Sequence, residues 1–160
     1  METESGYRRR DRKPRLDRSV YGCSGYAVHL TLCTDKGRRL FEHHPELADM
    51  VRKVLSLTAE EKGVTLYAYC LMPDHLHFVA AVQPGGQNLI DFVWTLKTKT
   101  TWGAKGHISV PLWQRSMHDR VLRTPEEFRE RCRYVVENPV RQGLAEDWRT
   151  YPWAWSSEEA

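Results

Sequence analysis

Two runs rich in β-branched and aromatic side chains, residues 64–71 and His75–Val82, are separated only by Met72, Pro73 and Asp74. A connection this short can join antiparallel neighbours, whereas parallel neighbours need a crossover of about a dozen residues or more. An antiparallel hairpin is therefore written into the middle of the chain. Upstream, Tyr26, Val28, Leu30 and Leu32 alternate with Ala27, His29 and Thr31, the period of a half-buried first strand. After a turn at residues 35–38, Pro45–Lys62 places Leu47, Met50, Val51, Val54 and Leu55 at i, i+3, i+4, i+7 and i+8. That spacing predicts an amphipathic helix, stopped by Gly63.

Downstream, Gly85 and Gly86 close the hairpin, and Leu89, Phe92, Val93, Leu96 and Thr100 mark a second helix. Residues 111–122 read as a loop and a fourth strand. Thr124, Pro125, Glu126 and Glu127 form a capping box with proline at the first helical position, so a third helix starts there. It is expected to end at Asn138-Pro139, because proline pushes the preceding residue out of the helical region. Strand, helix, hairpin, helix, strand, helix is the order of a ferredoxin-like α+β domain, an antiparallel sheet with its helices expected on one face. The aromatic C-terminal segment, residues 148–155, is expected to pack on the body.

At 160 residues the chain suits one well-buried core, here residues 21–160, preceded by a basic arm over residues 1–20. Arg8, Arg9, Arg10, Arg12, Lys13, Arg15 and Arg18 outweigh Glu2, Glu4, Asp11 and Asp17, so this segment alone accounts for the net charge of +3. It reads either as a solvated tail or as a phosphate-binding arm. No run approaches the ~20 apolar residues of a membrane span and nothing resembles a secretory leader, so a cytoplasmic protein is expected. Cys23, Cys33, Cys70 and Cys132 include no Cys-x-x-Cys pair and read as reduced, buried thiols.

The chemistry concentrates in two places. In a strand, His75 and His77 project from one face, about 7 Å apart, while Leu76, Phe78, Ala80 and Val82 point to the other. Two neutral imidazoles so placed can hold one divalent cation, although any strand with a polar outer face can carry such a pair. On the third helix, Phe128, Cys132, Val135 and Val136 share a core stripe about 100° wide, and Tyr134 lies roughly 145° from its centre. Asn138 follows four residues later, on the same side.

Taken together, Met72-Pro-Asp-His-Leu-His-Phe78, Leu112-Trp-Gln114, His118-Asp-Arg120, Tyr134-Val-Val-Glu-Asn-Pro139 and Arg141-Gln-Gly-Leu144 resemble the single-tyrosine HUH transposases. The resemblance is strongest to their REP-associated branch, linked to repetitive extragenic palindromes in bacterial genomes, and covers roughly residues 21–157. It implies the HUH endonuclease/transposase fold, with His75 and His77 as metal ligands, Tyr134 as nucleophile and the Asn138 amide completing a Mg2+ or Mn2+ site. Many insertion-sequence relatives carry glutamine at that last position, and asparagine is one methylene shorter.

The reaction implied is cleavage and rejoining of single-stranded DNA beside a palindromic hairpin, through a 5′-phosphotyrosine, by a monomer or homodimer working on the bacterial nucleoid. Lys97, Lys99, Arg115, Arg120 and Arg123, with Arg8, Arg9 and Arg10 of the arm, are candidate phosphate contacts, and His118 is a candidate neighbour of the site. Two other functions compete: a non-catalytic hairpin-binding regulator derived from a transposase, and a metal-dependent nuclease that uses water instead of Tyr134.

Overall fold

In the computed structural model, which describes residues 26–157, the first strand is β1 (Ala27–Cys33), and after one helical turn at Leu40–His43 comes the long helix α1 (Pro45–Lys62). The hairpin consists of β2 (Val64–Met72) and β3 (His75–Val82), with Met72 opposite His75 and Leu71 opposite Leu76. Then come α2 (Leu89–Ala104), β4 (His118–Leu122), α3 (Pro125–Val136) and β5 (Ala154–Ser156). The strands form one antiparallel sheet in the order β4-β1-β3-β2-β5. Its first four are in ferredoxin-like order.

Gly63 ends α1 in the left-handed conformation, φ 65° and ψ 45°, with its N–H turned back to the carbonyls of Ala59 and Glu60. Gly86 packs against it so closely that a Cβ there would lie 2.2 Å from the Gly63 carbonyl oxygen. The end of α1 is thereby pinned beside the hairpin's exit.

On one face of the sheet Val28, Leu30, Leu32, Leu76, Phe78 and Ala80 pack against Leu47, Val51 and Leu55 of α1 and Phe92 and Leu96 of α2. The expectation that all helices share this face is overturned. Helix α3 crosses the opposite face, where Cys132, Val135 and Val136 cover Ala68, Cys70, Val79 and Leu122. The physical reason is that α3 carries its own apolar stripe and the second sheet face offers an apolar patch beside the histidines, so each buries the other.

Helix α3 starts as predicted: the Thr124 hydroxyl accepts the Glu127 N–H at 3.1 Å, and the Glu127 carboxylate accepts the Arg123 N–H at 2.7 Å. Its end differs. The helix stops at Val136, and Asn138–Arg141 forms a further helical turn with Pro139 near its start, where a missing N–H costs nothing. The C-terminal segment adds an unpredicted strand, β5, on β2, with Trp155 stacked on Tyr69 at 5.8 Å. The Tyr151 hydroxyl donates to the Leu71 carbonyl at 2.8 Å. Cys70 and Cys132 are buried as expected, whereas Cys33 is half-buried at the end of β1 and Cys23 lies outside the described residues; burial pushes the Cys70 thiol up to about 12. Among the described residues no helix is long and apolar enough to cross a membrane.

Candidate active site

The strand registers lay out the α3 face of the sheet in rows. In one row His118, Thr31, His77 and Cys70 stand side by side on β4, β1, β3 and β2. In the next, Arg120, His29, Val79 and Ala68 are aligned; on the other side Cys33 and Met72 flank His75. Alternate residues of a strand share a face, so His29, Thr31, His75 and His77 converge on the side that α3 covers.

The His75 and His77 rings meet edge to face, centroids 4.5 Å apart at 85°. His75 Nδ1 lies 2.6 Å from Asp74 Oδ1. His77 Nδ1 lies 2.9 Å from the Thr31 hydroxyl and 3.0 Å from His29 Nε2. Both Nδ1 atoms are therefore engaged, and Nε2 is the nitrogen each ring has left for an ion. Helix α3 brings Tyr134 over His77 and His29: its ring centroid is 5.9 Å from that of His77 and 6.2 Å from that of His29. The Arg131 and Arg141 guanidiniums lie 4.9 and 4.3 Å from the tyrosine ring centre. Arg141 also donates to the Tyr134 carbonyl and pairs with Glu137 at 3.8 Å.

Burial drives His77 down to about 2, helped by repulsion from His75, His29, Arg141 and Arg131. Burial likewise lowers His29 to about 3, followed by Arg131 and Arg120. Both rings are neutral at pH 7, the form in which imidazole binds a metal. No three His, Cys, Asp or Glu side chains among the described residues are grouped to hold an ion. The third donor implied by the resemblance is an amide: Asn138 is buried, and its Nδ2 has no hydrogen-bond partner among the described residues. An amide's oxygen and nitrogen are interchangeable by a flip, so this orphaned end suits a ligand oxygen as well as a donor. Imidazole with oxygen donors is a set that Mg2+ or Mn2+ can use, and the residues present fit such an ion.

The basic candidates separate. Arg120 projects beside His29 from β4 and reaches Glu127 at 3.9 Å. Arg115 and Arg123 are exposed, and His118 is exposed opposite Thr31. Lys97 ties down a loop, its ammonium donating to the carbonyls of Gln114, Arg115 and Ser116 at 2.7, 3.4 and 3.0 Å. Burial lowers it to about 8. Lys99 pairs with Glu61 of α1, in the helical layer away from the histidines. Arg8, Arg9 and Arg10 lie outside the described residues. His29, Thr31 and Asp74 do not stand out in the sequence as parts of the site. His29 carries one signal, a buried-strand position whose alternation matches that of the histidine face, but only the β1–β3 register shows which histidine it meets.

A ferredoxin-like sheet bearing His-x-His on a central strand, with a helix-borne tyrosine laid over it, defines the HUH transposase class of fold. The chain belongs to the family described as "Transposase IS200 like", whose profile matches residues 22–118. That match ends before Tyr134 and Asn138. A Haemophilus influenzae protein named as a REP-associated tyrosine transposase is 22% identical over 114 residues, 64% of this chain and 65% of the relative, just under two thirds of its length. The solved structure of a REP-associated tyrosine transposase bound to a REP hairpin superposes with TM-score 0.72 at 15% identity, covering 89% of this chain and 81% of the other. A Deinococcus radiodurans protein described as a transposase gives TM-score 0.53 at 27% identity, covering 73% and 93%. The resemblance read from the motifs is borne out.

Proposed function

We propose that this protein cleaves and rejoins single-stranded DNA beside a palindromic hairpin, with Tyr134 as the nucleophile. The observation that carries this reading is Tyr134 standing over His77, 5.9 Å between ring centroids, although the two come from different layers of the fold. The hairpin as substrate is supported by the REP hairpin in the structurally similar transposase.

Bound by His75, His77 and the Asn138 amide, Mg2+ or Mn2+ would offset charge on the scissile phosphate. Tyr134 Oη attacks phosphorus and the bond from phosphorus to the 3′ oxygen breaks. The products are a 5′-phosphotyrosine and a 3′-hydroxyl, which takes up a proton. The phenol's own proton leaves through the open side of the site, since Tyr134 is 41% exposed. Arg131 and Arg141 hold the ring from its faces and offset the negative charge of phenolate and phosphate. Attack by another 3′-hydroxyl on the phosphotyrosine runs the step backwards with the same bond count, so no ATP is consumed.

Incubation with single-stranded hairpin DNA taken from sequence flanking the gene tests this. A covalent protein–DNA adduct on a denaturing gel supports transesterification; cleavage without adduct supports water attack, and binding without cleavage the regulatory alternative.

A further inference from the structure

We propose that His29 is a positioning residue: its Nε2 accepts the Nδ1–H of His77 and so holds His77 in the tautomer that turns a bare Nε2 toward the metal site. This rests on the metal-and-tyrosine reading above. In a neutral imidazole only one nitrogen carries the proton, and the hydrogen bond made by one nitrogen selects the state of the other. For His75 the selector is Asp74, a carboxylate that can only accept, 2.6 Å from Nδ1. Among the described residues no carboxylate stands there for His77; its Nδ1 faces Thr31 Oγ1 at 2.9 Å and His29 Nε2 at 3.0 Å.

These two neighbours are not equivalent. A hydroxyl donates or accepts with equal ease, so Thr31 satisfies either tautomer of His77 and chooses neither. His29 Nε2 accepts only when the His29 proton sits on Nδ1; in that tautomer, to which we commit His29, Nε2 can do nothing else. His29 is also fixed in place: it is 7% exposed, sits one row from His77 across the β1–β3 register, and its ring is 5.1 Å from that of His77. The same ring meets Tyr134 edge-on at 6.2 Å, so His29 supports both the metal-binding histidine and the nucleophile from the sheet side.

The test uses His29→Leu, which keeps the volume without an acceptor. His29→Gln places an amide oxygen near the Nε2 position, and His29→Asn falls short of it. Long-range 1H–15N spectra of the His77 ring report the tautomer without metal or DNA. The wild type is expected to show Nδ1–H, the Leu and Asn variants a mixture with Nε2–H, and Gln a return to Nδ1–H. Mn2+ titration followed by electron paramagnetic resonance is expected to show binding roughly 10- to 100-fold weaker in Leu and Asn and within a few-fold of wild type in Gln, the usual size of a lost outer partner. Should Leu disturb folding, the Gln and Asn pair carries the comparison. An unchanged His77 tautomer and unchanged Mn2+ affinity in Leu and Asn would overturn the role of His29 alone. Mn2+ binding that survives His77→Ala would remove the metal site itself, and this inference with it.

Discussion

Tyr134 meets His77 edge to face, with ring centroids 5.9 Å apart and planes at 76°, and His29 closes the triangle from the neighbouring strand. The tyrosine and the histidine it faces thus share a wall built by β1. The consequences differ for residues that look alike in the sequence.

His75 and His77 should respond differently to alanine. His77 is buried, and its loss leaves a cavity and removes a partner from both His29 and Thr31, a cost of roughly 1–3 kcal/mol. His75 is half-buried and paired with Asp74 at the hairpin turn, so its replacement should cost about 1 kcal/mol or less. Urea unfolding without metal measures both; equal losses would contradict the burial argument. The two substitutions are expected to weaken Mn2+ binding alike.

Acid should destabilise the fold through the same histidines. In the unfolded chain a histidine takes up a proton near 6.5, whereas burial lowers His29 to about 3 and His77 to about 2 in the folded state. Below pH 6.5 the unfolded chain binds more protons, so stability falls as pH falls; above it the two states match and this contribution is flat. Each histidine contributes up to about tenfold in the unfolding equilibrium per pH unit across that window. Stability measured from about pH 7 down to about pH 4.5 is expected to fall less steeply in His29→Leu than in the wild type. Parallel curves would show that His29 is not buried neutral.

Lys97 and Arg120 separate structure from DNA contact. Lys97→Met leaves the carbonyls of residues 114–116 without their shared donor, and should cost roughly 1–3 kcal/mol of stability while leaving the salt dependence of DNA binding unchanged. Arg120→Ala should do the reverse, with near-native melting and a shallower salt slope, because fewer counterions are released on binding. A swap of these phenotypes would reverse the assignments.

Much of the fold is legible in the sequence because it is local. The three-residue link at Met72-Pro73-Asp74 dictates the hairpin, the spacing from Leu47 to Leu55 marks α1, and the Thr124 box places the start of α3. What cannot be read depends on partners distant in sequence. Nothing within α3 tells which sheet face will bury Cys132, Val135 and Val136. Residues 154–156 are too short to show a strand period and become β5 only by pairing with Ala68, Tyr69 and Cys70. Tyr134 is legible as a residue off its helix's core stripe, while His29 looks like any polar residue on the outer face of a half-buried strand. Lys97 reads as a surface charge because its carbonyl partners lie on a later loop.

The basic arm, residues 1–20, lies outside the described residues and can be tested by deleting residues 1–18. If it contacts phosphates, its removal should weaken DNA binding more at low salt than at high salt and leave hairpin preference unchanged, since phosphate contacts position a protein without reading bases. Lost hairpin preference would mean that the arm reads sequence or shape.

The central claim is that Tyr134 supplies the attacking oxygen of the covalent step, and the most direct measurement is mass-spectrometric mapping of the DNA adduct together with its loss in Tyr134→Phe. Removing one hydroxyl from a side chain 41% exposed should leave melting and hairpin affinity nearly unchanged. The wild type is expected to yield a peptide carrying a 5′-phosphotyrosine at Tyr134, and the phenylalanine variant no adduct at all. An adduct on any other residue, or one formed by the phenylalanine variant, would contradict the account.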